Sequence, residues 1–227
     1  WALATTPQAG LGGRRGYQPR GKVLGGSSSV NAMIYSRGLP SDYDHWAEQG
    51  NPGWGWRDVL PYFLRSENNE RGADAFHGAG GPLNVADLQQ PHRMSNAFVE
   101  SGVQAGHVHN RDFNGATQEG VGLYQVTHKG GERFSAAKAY LAPNRARPNL
   151  HVVTGAHATR VLLEHGRAVG VAYVKDGCEH TVRAEREVVL SAGALQSPQL
   201  LMLSGIGPAD HLRAHGIDVR HDLPGVG

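Results

Sequence analysis

Two short segments of this sequence combine small residues with helix-start signals, a pattern that favours binding of an anionic ligand. In the first, residues 21–31, a Gly-Gly-Ser-Ser-Ser run precedes an apolar stretch. Glycine lets a flat ring or a diphosphate approach the backbone, and serine hydroxyls can donate hydrogen bonds to phosphate oxygens. A flexible loop that binds nothing explains the same residues about equally well.

The second segment, residues 187–198, reads from an apolar strand through a small-residue turn into a helix. Ser197 is a favourable N-cap residue, and Pro198 suits the first helical position. The free N–H groups and the positive dipole end of such a helix attract phosphate. Taken alone, however, the pattern is more typical of a tight strand-to-helix connection without a ligand.

Composition and motifs exclude several other classes of function. A net charge of +2, with Lys and Arg scattered, is too weak for a nucleic-acid surface. The single cysteine, Cys178, leaves no intrachain disulfide, and the 13 histidines lack metal-ligand spacing. No apolar stretch is long enough to span a bilayer. Residues 16–22 resemble a phosphate-binding P-loop but lack the hydroxyl residue that should follow, and no Gly-x-Ser-x-Gly hydrolase elbow occurs.

The elements that must position the two segments are predicted from apolar spacing and turn residues. Residues 1–29 lack periodicity and predict an extended loop. Helices are predicted at residues 30–35, 41–48, 58–66, 95–105, 135–141 and 197–203. Strands are predicted at residues 83–85, 121–127, 151–154, 158–164, 168–175, 180–184 and 187–191. Pro61 is expected in the first turn of its helix, where proline is tolerated, and the fold class is α+β.

Together the two segments are more specific than either alone. Residues 21–31, followed by Tyr35, Arg37 and Asp42, resemble the first signature of the glucose–methanol–choline (GMC) oxidoreductases. Residues 193–207 resemble the second signature of this family. Further similar stretches lie at residues 51–54, 81–83, 135–141, 147–150 and 168–171. The resemblance is strongest to the bacterial branch of choline dehydrogenase-like and alcohol dehydrogenases.

This resemblance implies a partial α/β, Rossmann-like FAD-binding domain together with part of a substrate domain built on an antiparallel sheet. It predicts FAD-binding portions at residues 1–82 and 149–227, and a partial substrate-binding domain at residues 83–148. It also implies which residues lie along the cofactor. These are Gly25, Gly26 and Ser28 near the diphosphate, Asn31, Ala32 and Met33 near the isoalloxazine, Val161 at the adenine, and Ala192 and Gly193 near the ADP half.

The implied reaction is oxidation of a primary alcohol, either choline-like, aliphatic or aromatic, by hydride transfer to flavin N5. Some relatives attach FAD covalently through a histidine at the position of Val30. Because valine has no nucleophile, the resemblance implies non-covalent FAD. The electron acceptor, and the choice between dehydrogenase and oxidase, stay open. A lyase with non-redox FAD and an inactive truncated fragment are the alternatives.

The family's glycine-rich dinucleotide turn and catalytic histidine have no counterpart in these 227 residues. We therefore assign no catalytic residue and no metal ligand, and we expect an internal fragment that is inactive by itself. No nucleic-acid partner and no transmembrane segment are predicted. The expected location is the cytoplasm of a bacterium, or the periphery of its inner membrane.

Overall fold

Helices and short strands alternate along the computed structural model, which describes all residues from 1 to 227. They form two units, Trp1–Leu150 and His151–Gly227, and the mixture confirms the predicted α+β class. The longest helix has 12 residues, and none has the length and apolar character needed to cross a membrane. Unit 2 begins close to the predicted domain boundary at residue 149, while the FAD-binding and substrate-binding roles of the domains stay predictions.

Three α-helices lie in unit 1, and their predicted positions at residues 41–48, 58–66 and 95–105 are confirmed to within two residues. Asp42 stabilises the N-terminus of the first helix, because its carboxylate accepts the Leu39 N–H at 2.9 Å. The second helix begins two residues earlier than predicted, which places Pro61 inside it and not in its first turn. The helices are α1 Pro40–Glu48, α2 Trp56–Ser66 and α3 Arg93–Gln104.

Aromatic rings pack α1 against α2. The ring of Tyr43 on α1 lies 5.6 Å from Trp56 and 5.8 Å from Phe63, both on α2. The Asp44 carboxylate on α1 also accepts the Trp56 N–H at 2.8 Å, which satisfies one of the free donors at the start of α2. The two helices therefore pack against each other, and the Tyr43 hydroxyl of α1 also donates to the Arg37 C=O.

The strands of unit 1 are short and pair two by two. Strands β1 and β2 form an antiparallel hairpin, β3 and β4 pair in parallel, and β5 and β6 form a second antiparallel hairpin. The first hairpin corrects the prediction that residues 1–29 form only a loop, because three-residue strands are too short to show periodicity. The strands are β1 Ala2–Ala4, β2 Tyr17–Pro19, β3 Glu67–Asn69, β4 Leu83–Val85, β5 His128–Lys129 and β6 Glu132–Arg133.

Three further predictions in unit 1 need correction. Residues 30–35 do not form a helix: a 3-10 helix at Gly26–Ser29 precedes an extended segment whose Tyr35 N–H donates to the Gln125 C=O at 2.9 Å. Residues 121–127 form isolated bridges instead of a continuous strand, with Val126 bridged to both Ile34 and Ala86. The predicted helix at residues 135–141 is a π-helix at Ala137–Leu141.

The centre of unit 1 is largely polar. Its buried apolar side chains are small or β-branched, while its buried polar side chains are more numerous and include charged groups. Buried charges are stable only when they are paired and hydrogen-bonded. The buried apolar residues are Val85, Ala86, Val99, Val126 and Ala139, and the buried polar ones are Arg37, Glu67, Asn69, His77, Asn84, Asn110, Asn114, Gln125, His128 and Ser135.

Unit 2 is built on a three-stranded antiparallel sheet in the order β7-β8-β9. Both of its turns have positive φ at their two central residues, which are His165 and Gly166 in one turn, and Asp176 and Gly177 in the other. The predicted strands at residues 158–164, 168–175 and 180–184 are confirmed. The elements are β7 His157–Glu164, β8 Arg167–Lys175, β9 Cys178–Arg183, α4 Gln196–Leu203, β10 Ile206–Gly207, α5 Ala209–Ala214 and β11 His221–Asp222.

The predicted strands at residues 151–154 and 187–191 do not form. Neither segment pairs with another strand, and Val153 and Val189 are 55% and 74% exposed. A strand requires a neighbour to hydrogen-bond its backbone, so a run of β-branched residues alone does not create one.

Candidate functional site

Residues 25–29 form a tight loop whose backbone requires glycine. Gly25 and Gly26 have φ values of +88° and +55°, in the region that favours glycine. A Cβ on Gly25 would lie 2.5 Å from Ser29 Oγ and 3.2 Å from Ala137 Cβ. A Cβ on Gly26 would meet nothing within 4 Å. Other protein atoms therefore surround Gly25, whereas the backbone of Gly26 is accessible to a ligand.

The serine hydroxyls of this loop bond to the protein itself. Ser28 is the most engaged of them, since its Oγ also accepts the Ala136 N–H at 2.9 Å. Because Ser28 and Ser29 each donate their hydroxyl hydrogen to a carbonyl, the loop would meet phosphate through its backbone and through the exposed Ser27 hydroxyl, which only accepts a bond from the protein. The other bonds join Ser27 Oγ to the Gly21 N–H, Ser28 Oγ to the Gly25 C=O and Ser29 Oγ to the Leu24 C=O.

Residues 31–33 form a strained turn directly after the loop. Asn31 Oδ1 accepts the Met33 N–H at 3.1 Å and a hydrogen from the Arg133 guanidinium at 2.8 Å. Met33 has φ +64°, which is uncommon outside glycine and costs backbone energy. Ala32, between them, is exposed. The turn presents the backbone of Ala32 at the surface and holds it in one conformation.

Large apolar side chains beside the loop are also exposed. Val23, Val30 and Ile34 are 56%, 60% and 54% exposed. An open glycine backbone next to an apolar surface suits a ligand that joins a diphosphate to a flat ring. The residues of this loop therefore fit a flavin dinucleotide.

The predicted cofactor residue Val161 lies in unit 2, in the middle of β7. It is buried, pairs with Val171 across the sheet, and donates its N–H to Ser204 Oγ at 2.8 Å. The same Ser204 hydroxyl donates to the Leu200 C=O at 2.6 Å. The end of α4 is therefore fixed against β7 at the residue that the resemblance assigns to the adenine.

The other two predicted residues of unit 2, Ala192 and Gly193, are exposed and precede α4. Gly193 has φ +89°, and a Cβ there would meet nothing within 4 Å. The prediction that Ser197 is the N-cap of α4 is wrong, because the helix begins at Gln196 and the Ser197 hydroxyl instead accepts the Ala192 N–H at 3.0 Å. The turn before α4 is thus held by a side chain of the helix.

The structure brings six of the nine predicted residues together in one continuous segment of unit 1, residues 25–33. The remaining three lie in unit 2, on β7 and in the turn before α4. Their common role in binding a cofactor stays a prediction.

Sequence reasoning missed a buried charged cluster in unit 1. The Arg37 guanidinium lies 2.6 Å from Glu67, with side chains 1% and 0% exposed. His77 contacts Glu67 through Nδ1 at 3.2 Å and Asp112 through Nε2 at 2.9 Å. Glu67 also accepts the Gly78 N–H at 2.9 Å. In the sequence Arg37 stands out only as part of the family signature, and the spacing of Glu67, His77 and Asp112 does not indicate that they meet.

The surroundings of Glu67 and His77 favour the charged form of each side chain. Burial alone raises the pKa of Glu67, but hydrogen bonds from His77 and Gly78 and the charge of Arg37 outweigh it, so the pKa is lowered. The hydrogen bond to Glu67 raises the pKa of His77; burial opposes this effect, and Asp112 adds to it. Basic and acidic side chains therefore alternate along the cluster, from the buried Arg37 and Glu67 through His77 to the half-buried Asp112.

Comparison with known proteins identifies the family. A protein-family model described as GMC oxidoreductase matches residues 5–227 of the chain. The chain belongs to the GMC oxidoreductase family. The predicted family is thus confirmed over nearly the whole chain, including the glycine-serine loop and the turn before α4.

Curated GMC relatives carry two kinds of name. The chain is 49% identical over its whole length to the oxygen-dependent choline dehydrogenase of Brucella ovis, of which it covers 41%. It is also 49% identical to the alcohol dehydrogenase [acceptor] of Pseudomonas putida, of which it covers 42%. The chain therefore spans about two fifths of the length of these relatives.

Solved GMC structures share the fold. Pyridoxine 4-oxidase from Mesorbium loti is 38% identical with a TM-score of 0.91, over 99% of this chain and 44% of that one. An FAD-dependent oxidoreductase from Chaetomium thermophilum is 33% identical with the same TM-score, over 99% of this chain and 41% of that one.

Proposed function

We propose that the protein binds FAD non-covalently and oxidises a primary alcohol to the aldehyde. The observation that carries this proposal is the open, left-handed backbone at Gly26 in the first signature of a GMC oxidoreductase. The names of the choline and alcohol dehydrogenase relatives support an alcohol as substrate. Val30, in the position used for covalent attachment in some relatives, supports a dissociable cofactor.

The bound FAD would supply the acceptor for a hydride from the alcohol carbon. The residues of this chain would bind the cofactor and orient its flavin ring. The Gly26 backbone would hold the diphosphate, and Asn31 would fix the turn that presents Ala32 and Met33 to the ring. The exposed apolar side chains beside the loop, Val30 among them, would exclude water from the cofactor.

No histidine of this chain is proposed as the base that takes the hydroxyl proton. We propose that this group lies in the part of the relatives' length that the chain does not span. Activity is therefore expected of the protein expressed from its complete gene and not of residues 1–227 alone.

Anaerobic titration with alcohols tests the reaction. The protein from the complete gene is mixed with choline, an aliphatic alcohol or benzyl alcohol, and the visible flavin absorbance is followed. Bleaching is expected with at least one of them, because hydride transfer reduces the flavin. A flavin that stays oxidised while the substrate is cleaved would support the lyase alternative. Release of the flavin into the supernatant after acid precipitation is expected for non-covalent binding.

A pair of glycine variants tests the cofactor site. Gly26 and Gly130 have φ values of +55° and +57°, and a Cβ on either would meet nothing within 4 Å. Gly26→Ala and Gly130→Ala should each destabilise the fold by roughly 1–2 kcal/mol. Only Gly26→Ala should weaken FAD binding, by about tenfold or more, since its methyl group would occupy the space of the diphosphate. Equal FAD retention by the two variants would contradict the site.

A further inference from the structure

The backbone of Tyr35 is held from both sides. Its N–H donates to the Gln125 C=O at 2.9 Å, and its C=O accepts the Asn114 side-chain amide at 3.1 Å. The Asn114 Oδ1 also accepts the Arg37 N–H at 2.9 Å. One buried asparagine therefore bonds to two backbone groups of the segment that follows the strained residue Met33.

The position of Asn114 is fixed by the buried charged cluster. Asp112 Oδ1 accepts the Asn114 N–H at 3.0 Å, while Asp112 Oδ2 lies 2.9 Å from His77 Nε2. His77 Nδ1 in turn bonds to Glu67, which is fully buried. The asparagine is thus connected to an interior charge and cannot easily turn towards solvent.

Gln125, which bonds to the Tyr35 N–H, is also connected to the Glu67 carboxylate. The Gln125 side chain accepts a hydrogen from Asn69 at 2.9 Å and donates to Asp87 at 3.0 Å. Asn69 also donates to Glu67 Oε1 at 3.0 Å. Asn114 and Gln125, which both bond to Tyr35, are therefore positioned by one buried hydrogen-bond network.

We propose that Asn114 is a positioning residue for flavin chemistry. A positive φ at a non-glycine residue such as Met33 persists only where the surrounding structure over-determines it. The Met33 C=O accepts the Thr127 N–H at 2.9 Å, and Asn114 adds to this constraint from the side of Tyr35 and Arg37, so it helps to set the backbone that meets the isoalloxazine. The proposal rests on the proposed function, because it assigns that ring to residues 31–33.

The same loop offers a matched control in Asn110. Asn110 is 8% exposed and Asn114 is 7% exposed. The Asn110 amide donates to two backbone carbonyls, those of Thr117 and Glu119, and its oxygen accepts the Asp112 N–H at 2.8 Å. None of these bonds is to residues 31–37, and the one to Asp112 is to its backbone, whereas Asn114 and His77 bond to the Asp112 carboxylate. The two side chains therefore have the same type, burial and kind of partner, and differ in whether they hold the flavin segment.

The test compares Asn114→Ala with Asn110→Ala in the protein from the complete gene. Both should lower the denaturant midpoint. Only Asn114→Ala should shift the visible flavin spectrum and lower kcat, on the order of 100-fold, with KM for the alcohol little changed, because small misplacements are costly in catalysis. If the alanine variants do not fold, the isosteric pair Asn114→Asp and Asn110→Asp replaces them, and only the former removes the donor to the Tyr35 C=O.

Hydrogen exchange separates this inference from the proposed function. Exchange of the Arg37 and Tyr35 amides should accelerate in Asn114→Ala and not in Asn110→Ala, whether or not flavin is bound. Equal changes in the flavin spectrum and in kcat, or no change in either variant, would overturn the positioning role. A parent protein that binds no flavin but shows the exchange difference would refute the proposed function and leave the holding of Tyr35 intact.

Discussion

Replacing Glu67 by glutamine tests the buried cluster most directly. The carboxylate accepts hydrogen bonds from four groups of the protein, and it neutralises a guanidinium whose side chain is 1% exposed. Glutamine has the same shape but no charge, and its amide nitrogen would face hydrogen-bond donors. The four groups are the side chains of Arg37, Asn69 and His77 and the N–H of Gly78.

The expected loss of stability is large because both partners are buried. Removing one member of a buried ion pair typically costs about 3–5 kcal/mol, since the other charge remains without compensation. An unpaired buried donor alone accounts for about 1–3 kcal/mol of such a loss. The variant removes the Glu67 carboxylate that raises the pKa of His77, so the imidazole is neutral more readily, which places the expected value towards the lower end, at roughly 3 kcal/mol.

Urea unfolding near neutral pH measures this loss, with Glu164→Gln as the matched control. Glu164 also pairs with an arginine, Arg183, through two bonds of 2.6 and 3.0 Å, but both side chains are more than half exposed. Exposed pairs contribute little, so the control should unfold almost like the parent. A Glu67→Gln midpoint no lower than that of Glu164→Gln would refute the reasoning.

Further predictions concern pH, the loop and the core. Because the pKa of His77 is raised from 6.5, its contribution to stability is complete below about pH 6.5 and lost as pH rises through the folded value. The lowered pKa of Glu67 makes its contribution complete above about pH 4.5 and lost as pH falls, so urea midpoints should be highest between these values. Gly25→Ala should cost about 2–4 kcal/mol through strain and crowding, against roughly 1–2 for Gly26→Ala, in chemical denaturation. Leu212→Ala, at a fully buried side chain, should cost about 2–5 kcal/mol by the same measurement.

The parts of the fold that were predictable are those governed by neighbouring residues. The helices at Pro40–Glu48 and Arg93–Gln104 have apolar spacing and clear ends, and the turns of the sheet in unit 2 carry glycine where φ must be positive. The strand predicted at residues 187–191 was wrong because a strand depends on a partner elsewhere in the chain. The helix predicted at residues 30–35 was wrong for a related reason, since backbone bonds to residues 125–127 override the helical spacing of its apolar residues.

The candidate site was predictable only through the family signatures. The left-handed glycines could be anticipated from the Gly-Gly pair, but the inward bonds of the serines could not, because these bonds depend on the path of the loop. The cluster around Glu67 was invisible to pattern analysis. Its members have no common spacing, and a buried glutamate has the same sequence appearance as an exposed one.

The wide separation of the cluster members along the chain has a consequence for how unit 1 folds. Arg37 and Glu67 are 30 residues apart, His77 and Asp112 are 35 apart, and Asn69 and Gln125 are 56 apart. Residues 67–78 supply the bonds of His77 and Gly78 to Glu67, but the Arg37 charge that completes the buried pair comes from a distant segment, so partial structures gain little. We expect unit 1 to fold slowly and in one late cooperative step, after distant segments have met. Chains caught before that step would keep hydrated, unpaired charges, which disfavours premature collapse.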